Sequence, residues 1–125
     1  MLGSRDIVAF VATTDPDRAR AFYRDVLGLR LTAEDGFALM FDAHGTMLRV
    51  VKVRQFAPQP FTVLGWHVDD DIAAAAAALA SAGVTFERFP GMEQDALGVW
   101  TSPGGSKVAW FRDPDGNTLS LSQGE

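Results

Sequence analysis

Few side chains in this sequence could carry chemistry. The 125 residues include two histidines, His44 and His67, sixteen aspartates and glutamates, and no cysteine. Without cysteine, disulfides, thiolate catalysis, iron–sulfur clusters and cysteine zinc sites are excluded. The sequence also lacks a Ser-His-acid arrangement, a phosphate-binding glycine loop and a dinucleotide-binding fingerprint. Imidazole, carboxylate and aromatic side chains remain as the candidates.

Two of these side chains are candidate catalytic groups. His67 lies near the end of an apolar segment, and Glu93 lies with Asp95 in a glycine-flanked connection, residues 89–98. A connection longer than its strands require is typical of a lid, and a buried carboxylate there could act as a general base. The alternatives are a structural histidine and a surface loop with solvated acids.

Charge and hydropathy exclude several classes of partner. Sixteen acids against eleven Lys and Arg leave a formal net charge of -5, so no basic surface is available for nucleic acid. The longest apolar run, residues 72–80, is far shorter than the roughly 20 residues that a membrane helix needs. The first ten residues do not resemble a signal peptide, so we expect a cytoplasmic protein without nucleic-acid or membrane partners.

These residues must be positioned by strands and helices, which the first half of the sequence signals clearly. Residues 7–12 form an apolar run that predicts a buried strand. A helix follows, because Thr14 or Asp15 can cap it, Pro16 suits its first position, and Gly28 can end it. Three further strands are predicted at residues 29–33, 37–42 and 47–53.

The second half repeats this order after a proline-containing connector. We predict a strand at residues 61–68 and a helix capped by Asp70 or Asp71 and closed by Gly83. Strands are predicted at residues 84–89, 97–101, 107–112 and 118–122, with a hairpin turn at Asp-Pro-Asp-Gly-Asn, residues 113–117.

The two halves also align with each other. Residues 37–50 can be laid over residues 108–121 without gaps, and the apolar phase is kept. An internal repeat of this kind indicates two copies of one small unit, neither of which buries its sheet alone. The prediction is a single domain of residues 1–125, with modules at residues 6–53 and 61–123 joined by a connector at residues 54–60.

A doubled strand–helix–three-strand unit, with Ala21-Phe22-Tyr23 in its first helix and the turn at residues 113–117, resembles the vicinal oxygen chelate superfamily. This is the group of glyoxalase I, bleomycin-resistance proteins and extradiol dioxygenases. The resemblance implies an α+β fold of two tandem βαβββ modules, whose mixed sheets curve into a cup that holds a ligand. It also implies a homodimer.

Metal-dependent members of that superfamily place His, Gln or Glu ligands on the first and last strands of each module. The matching positions in this sequence are Val8, Arg49, Ser120 and either Val63 or, if the register shifts by one residue, Leu64. None is a suitable metal ligand, because divalent transition metals need converging imidazole or carboxylate donors. The resemblance therefore implies a protein without a metal or other cofactor.

Strand alternation predicts which side chains face the cup. This face is mostly aliphatic and aromatic, which suits a small apolar or aromatic molecule oriented by a few polar groups. The predicted cup face comprises Val8, Phe10, Ala12, Phe37, Leu39, Phe41, Arg49, Val51 and Val53, then Val63, Gly65, His67, Val108, Trp110, Arg112, Ser120 and Ser122. The opposite face, with Ile7, Met40, Leu48, Val50, Phe111, Leu119 and Leu121, is expected beneath the helices.

The ligand-binding candidates come from this face and from its rim. They are Phe10, Leu39, Phe41, Arg49, His67, Trp100, Trp110, Arg112 and Ser120. Inward-facing arginines need an acid or an anionic ligand, so we expect Arg49 and Arg112 to pair with residues such as Glu93 or Asp95, or to bind an anion. The aromatic residues could instead fill a core or a dimer interface.

Three functions follow from these features. The first is binding of a small apolar or aromatic molecule without a metal, as in bleomycin-resistance-like proteins. The second is an enzyme, either a metal-independent isomerase or lyase using His67 or Glu93, or a diverged glyoxalase. The third is a structural dimerisation module.

Overall fold

Each half of the chain folds as a strand, a helix and three further strands, as the repeat predicts. The computed structural model describes residues 1–124. The chain divides into a unit of Met1–Ala57 and a unit that begins at Pro58, so the division lies inside the predicted connector. Each unit contains one four-stranded mixed sheet. The predicted α+β class with two tandem modules is confirmed.

The first module contains one parallel and two antiparallel strand pairs, in the order β1-β4-β3-β2. Its elements are β1 (Val8–Thr13), α1 (Pro16–Arg20), β2 (Arg30–Glu34), β3 (Ala38–Ala43) and β4 (Thr46–Lys52). The carboxylate of Asp15 accepts the backbone N–H of Arg18 at 3.2 Å and so caps α1. The helix then widens into a π-helical segment, Ala21–Val26, and Gly28 follows with a φ of 78°.

The core of the first module lies between this helix and one face of the sheet. Leu39 and Phe41 pair with Val50 and Leu48, all four are buried, and the Phe41 ring centroid lies 5.9 Å from that of Tyr23. The prediction that Leu39 and Phe41 line the cup is therefore wrong. They belong to the face that the helix covers.

The turn between β3 and β4 determines which residues of the two strands share a face. Only His44 and Gly45 separate Ala43 from its partner Thr46, and both have a positive φ, 51° and 91°. In such a two-residue hairpin, an odd-numbered residue of β3 lies opposite an even-numbered residue of β4. The sequence-based prediction put odd-numbered residues of both strands on the cup face, which neither a two-residue nor a four-residue loop allows, because both pair odd-numbered with even-numbered positions. Met40, expected beneath the helix, is in fact opposite Arg49 on the other face.

The second module has the same arrangement, in the order β5-β8-β7-β6. Its elements are β5 (Thr62–His67), α2 (Ile72–Ser81), β6 (Trp100–Thr101), β7 (Lys107–Arg112) and β8 (Thr118–Gln123). Asp71 caps α2 by accepting the backbone N–H of Ala74 at 3.0 Å. None of the helices within residues 1–124 is long and apolar enough to cross a membrane.

Two predicted strands of the second module are corrected. Residues 84–89 do not form a strand. Their backbone pairs with β7 in one isolated bridge, Phe86 to Phe111. The strand predicted at residues 97–101 is reduced to Trp100–Thr101, because Gly98 has a φ of 92° and ends extended backbone there.

The face phases of β7 and β8 are confirmed. Phe111 pairs with Leu119 on the covered face, where both are fully buried, and the Phe111 ring lies 5.6 Å from that of Phe86. Trp110 pairs with Ser120, and Ser120 pairs with Gly65, on the opposite face. We call this side the open face of the second sheet, and the side that carries Phe10, Met40 and Arg49 the open face of the first sheet. In each module, the helix covers the other side.

Candidate functional site

A cleft of about 270 Å³ opens on the second sheet. The strands supply the polar and aromatic groups, the segment after α2 supplies one wall, and the segment before β5 supplies the rim. Its lining residues are Pro60, Phe61, Thr62, Glu87, Phe89, Trp110, Arg112 and Thr118.

Strand pairing arranges the floor of this cleft in two rows. In one row, Arg112 of β7 lies opposite Thr118 of β8, which lies opposite Thr62 of β5. The next row contains Trp110, Ser120 and Gly65 in the same order. Period-two alternation places Trp110 and Arg112 on one face of β7. We call the row with Arg112 the polar row and the row with Trp110 the aromatic row; the two rows are adjacent.

Trp110 is held between two other aromatic rings. The Phe89 ring lies 5.4 Å from the Trp110 ring with their planes 89° apart. The Trp100 ring lies 6.2 Å from it on another side, with an interplanar angle of 38°. Both arrangements are favourable for aromatic pairs. Trp100, whose orientation the alternation did not determine, thus lies on the open face beside Trp110.

Arg112 forms an ion pair that the sequence analysis did not anticipate. Its Nε lies 3.2 Å from Oε1 of Glu87. The expectation that Glu93 or Asp95 would be its partner is wrong. The backbone N–H of Glu87 donates to the carbonyl oxygen of Trp110 at 2.8 Å, which brings this segment alongside β7. Local periodicity could not show that contact, because the two segments are far apart in sequence.

The connection at residues 89–98 is ordered by its own polar side chains. Gln94 donates from Nε2 to the carbonyl oxygens of Glu87 and Gly98, both at 2.8 Å, and accepts the N–H of Phe89 at 2.9 Å. Asp95 accepts the backbone N–H groups of Leu97 and Val99 at 2.9 Å. The Asp95 carboxylate therefore stabilises the loop.

The two predicted catalytic candidates lie outside the cleft lining. Glu93 is exposed and borders a separate depression with Gln94 and Asp95. His67 is on the open face at the end of β5, with its Nδ1 3.3 Å from Oδ1 of Asp69 and 57% of its side chain exposed. Ser120 is on the open face but only 8% exposed.

The open face of the first sheet carries the remaining predicted binding residues. Phe10 is 60% exposed and pairs with Arg49, which also pairs with Met40. Among the acids described in the first module, none forms a salt bridge with Arg49. Arg49 therefore lies beside Phe10 and Met40 without a salt bridge to these acids. Its charge, after the backbone N–H groups of Phe37 and Ala38, contributes to lowering the pKa of Asp35.

The four positions that the resemblance assigns to metal ligands do not fit a divalent metal. Strand pairing places Phe10, rather than Val8, opposite Arg49. Val63 is the extra residue of a bulge in β5, and Ser120 lies opposite a glycine. No group of three His, Asp or Glu side chains suited to a metal occurs within residues 1–124. The side chains at these positions therefore provide no imidazole or carboxylate donor.

Comparison with known proteins gives a consistent family and fold. A family model described as the Glyoxalase/Bleomycin resistance protein/Dioxygenase superfamily matches residues 6–121. No curated protein matches the chain. The structure is similar to lactoylglutathione lyase from Agrobacterium tumefaciens, at 21% identity and a TM-score of 0.67, covering 97% of this chain and 94% of that one.

Two further solved structures show the same fold. A glyoxalase family protein from Enterococcus faecalis is 20% identical, with a TM-score of 0.72 and coverage of 96% of this chain and 98% of that chain. A glyoxalase/bleomycin resistance protein/dioxygenase from Alicyclobacillus acidocaldarius is 17% identical, with a TM-score of 0.71 and coverage of 96% and 91%.

Proposed function

The chain belongs to the glyoxalase/bleomycin resistance protein/dioxygenase superfamily, and we propose that it binds a small aromatic molecule in the cleft of its second module without the help of a metal ion. The observation that carries this proposal is the position of Trp110. Its ring borders the cleft and is held from two sides by Phe89 and Trp100.

The size of the cleft limits the ligand. Its volume of about 270 Å³ is close to the lower end of the roughly 300–1,000 Å³ that is typical of small-molecule sites. A molecule of one or two rings fits this volume, and a flat ring can stack on an indole that its neighbours already hold in place. Because Trp110 does not need to be ordered on binding, the entropic cost of association is reduced.

Binding without a metal follows from the donor set. The positions that would hold an ion carry Val8, Arg49, Val63 and Ser120, so stacking and a few polar contacts must retain the ligand. Sequestration of this kind requires no catalytic group.

Calorimetric titration with 2-naphthylmethanol, a neutral two-ring probe, tests the proposal. We expect saturable binding to the unmodified protein and at least about tenfold weaker binding to Trp110→Ala, because loss of one stacking surface is worth about 1–3 kcal/mol. Trp110→Phe should fall between them. Phe37→Ala, which removes an aromatic side chain that is 80% exposed in the first module, is the control. Equal affinity in Trp110→Ala, or no binding at all, would overturn the proposal.

A second candidate function is metal-independent proton transfer, which the contact of His67 with Asp69 favours. A carboxylate 3.3 Å from Nδ1 can orient an imidazole as a base. Incorporation of solvent deuterium into the methyl group of 2-acetylnaphthalene, followed by NMR, tests this candidate. Exchange faster than in buffer, and lost in His67→Ala, would support it; exchange at the buffer rate would reject it.

A further inference from the structure

We propose that the cleft selects aromatic molecules with a single carboxylate, and that Glu87 is the residue that restricts the ligand to one negative charge. This inference rests on the proposed function and adds the chemical class of the ligand. It comes from the geometry of the Glu87–Arg112 pair and from the two rows of residues on the floor.

The guanidinium of Arg112 has capacity for one more anion. Oε1 of Glu87 lies 3.2 Å from Nε, and neither terminal nitrogen, Nη1 or Nη2, donates a hydrogen bond to a residue within residues 1–124. The side chain is 56% exposed. Two terminal N–H groups in one plane match the two oxygens of a carboxylate, which gives a bidentate, charge-assisted contact.

The row arrangement places this fork at a suitable distance from the aromatic surface. Arg112 and Trp110 are two residues apart on one strand face, which corresponds to roughly 6.5–7 Å. A ring on Trp110 would therefore point a directly attached carboxylate toward Arg112. The hydroxyls of Thr118 and Thr62 continue the polar row and can donate to the same group.

Gly65 has no side chain that would project from the sheet into the space above the aromatic row. A Cβ added at this position would meet Oγ of Ser120 at 2.7 Å. The strand can therefore carry no side chain there without displacing Ser120. A flat ring benefits from such a surface more than a branched aliphatic chain does.

Glu87 supplies the limit on charge. Its carboxylate neutralises part of the Arg112 charge and lies on the Nε side of the guanidinium. A first ligand carboxylate can accept one N–H from each of the two terminal nitrogens, whereas a second would lie close to Glu87 and be repelled. Like charges in a partly buried cleft disfavour binding. Glu87 is thus a positioning and specificity-determining residue.

The test compares three naphthalene probes by calorimetric titration at low salt. They are 2-naphthylmethanol, 2-naphthoate and naphthalene-2,3-dicarboxylate. For the unmodified protein we expect 2-naphthoate to bind about tenfold more tightly than the neutral probe, since charge-assisted hydrogen bonds are the stronger ones. The dicarboxylate should bind more weakly than 2-naphthoate.

Two variants separate the roles of the ion pair. In Arg112→Gln the ratio of 2-naphthoate to neutral affinity should fall to about one. Arg112→Lys keeps the charge without the planar fork and should give an intermediate ratio. Glu87→Gln keeps the size of the side chain and removes its negative charge, so the dicarboxylate should gain at least about fivefold relative to 2-naphthoate. A residue with only a structural role would not change this last ratio.

The possible results distinguish this inference from the proposed function. If the neutral probe binds but 2-naphthoate shows no advantage, the carboxylate preference is wrong and the proposed function stands. An unchanged preference in Arg112→Gln, or an unchanged ratio of dicarboxylate to 2-naphthoate in Glu87→Gln, also rejects the inference. If no probe binds, the proposed function itself fails.

Discussion

Gly98, beside the cleft, can be replaced by another residue only at a cost in backbone strain and in side-chain packing. Its φ of 92° is in the region that favours glycine, and an added Cβ would lie 2.8 Å from Cβ of Phe86. Phe86 contacts the buried Phe111 ring, so it cannot easily move. The backbone path beside Trp100 therefore depends on glycine at this position.

This constraint predicts a large effect of Gly98→Ala on stability. We expect a loss of about 2–4 kcal/mol, the sum of an unfavourable φ and an overpacked contact. Gly105→Ala is the matched control, because Gly105 also has a positive φ, 96°, but an added Cβ there has nothing within 4 Å. Denaturant unfolding of both variants measures the difference. Equal losses would show that the Phe86 contact contributes nothing.

The sequence predicted the sheet face on which a residue lies better than it predicted the residue's contact partners. Alternation along β7 correctly placed Trp110 and Arg112 on one face, since both residues belong to one strand. Glu87 was missed as the partner of Arg112 because its position depends on how the segment after α2 returns to the sheet. Nothing in the sequence indicated this pair, because Arg88 follows Glu87 directly and is the nearer cation along the chain.

At the scale of elements, the connection at residues 89–98 shapes the cleft without moving a catalytic acid into it. Gln94 joins the carbonyl of Glu87, the N–H of Phe89 and the carbonyl of Gly98 through three hydrogen bonds. Glu87 and Phe89 both line the cleft. The order of this connection therefore affects the ligand-binding wall.

We expect Gln94→Ala to lower the free energy of unfolding by about 2–3 kcal/mol, since three hydrogen bonds of roughly 1 kcal/mol each are lost. The variant should also bind 2-naphthylmethanol more weakly, because Phe89 loses its support. Glu93→Ala, the exposed neighbour, should leave both quantities within about 0.5 kcal/mol of the unmodified protein. Urea denaturation and calorimetric titration measure both effects. A stable Gln94→Ala variant would contradict this account of the loop.

The carboxylate of Glu34, at the edge of the first sheet, should make the stability of the protein depend on pH. Glu34 accepts Nζ of Lys52 at 2.8 Å and Nη2 of Arg20 at 2.9 Å. The hydrogen bond from Lys52, followed by that from Arg20, lowers the pKa of Glu34 below its ordinary value of 4.5. This carboxylate therefore stabilises the fold above about pH 4.5, and the contribution disappears as the pH falls through the lower folded-state pKa.

Glu34→Gln should accordingly show a lower melting temperature than the unmodified protein at pH 7. The difference should be modest, because the pair is near the surface and screened by salt. It should shrink as the pH is lowered below 4.5. Melting temperatures of both proteins between pH 7 and pH 3 provide the measurement, and a difference that stays constant across this range would show that Glu34 acts through something other than its charge.

Elements could be predicted where a strong local signal existed. The predictions were wrong where the pairing of one segment with another decided the outcome. The caps at Asp15 and Asp71 follow from their side chains. The phase of β3 could have been predicted, because a turn of two or of four residues at His44 and Gly45 pairs odd-numbered residues of β3 with even-numbered residues of β4. Residues 84–89 alternate like a strand, but only Phe86 forms a bridge to the sheet.

At the scale of the whole molecule, the open face of the first sheet suggests an association surface. Phe10 is 60% exposed, and the paired residues Val8 and Met47 are 40% and 39% exposed. An aromatic side chain in an exposed apolar patch is typical of interfaces. Arg49, which forms no salt bridge within residues 1–124, lies on the same face and is available to an acid of another chain.

We expect the protein to form a homodimer through this face. Light scattering at micromolar concentration should give twice the mass of one chain, and Phe10→Glu should raise the dimer dissociation constant at least tenfold by placing a charge in the contact. Phe37→Glu is the control, since this exposed phenylalanine precedes β3 and does not lie in the patch. A monomer at micromolar concentration would remove the expectation.

The central claim is that an aromatic molecule is held in this cleft by stacking and polar contacts, with no metal ion involved. The most direct measurement is calorimetric titration of 2-naphthylmethanol into protein dialysed against EDTA, repeated after addition of Zn²⁺, Mn²⁺ or Ni²⁺. The account predicts the same dissociation constant, within about twofold, in every case. Binding that appears only after one of these metals is added, or that strengthens more than tenfold with it, would contradict the claim.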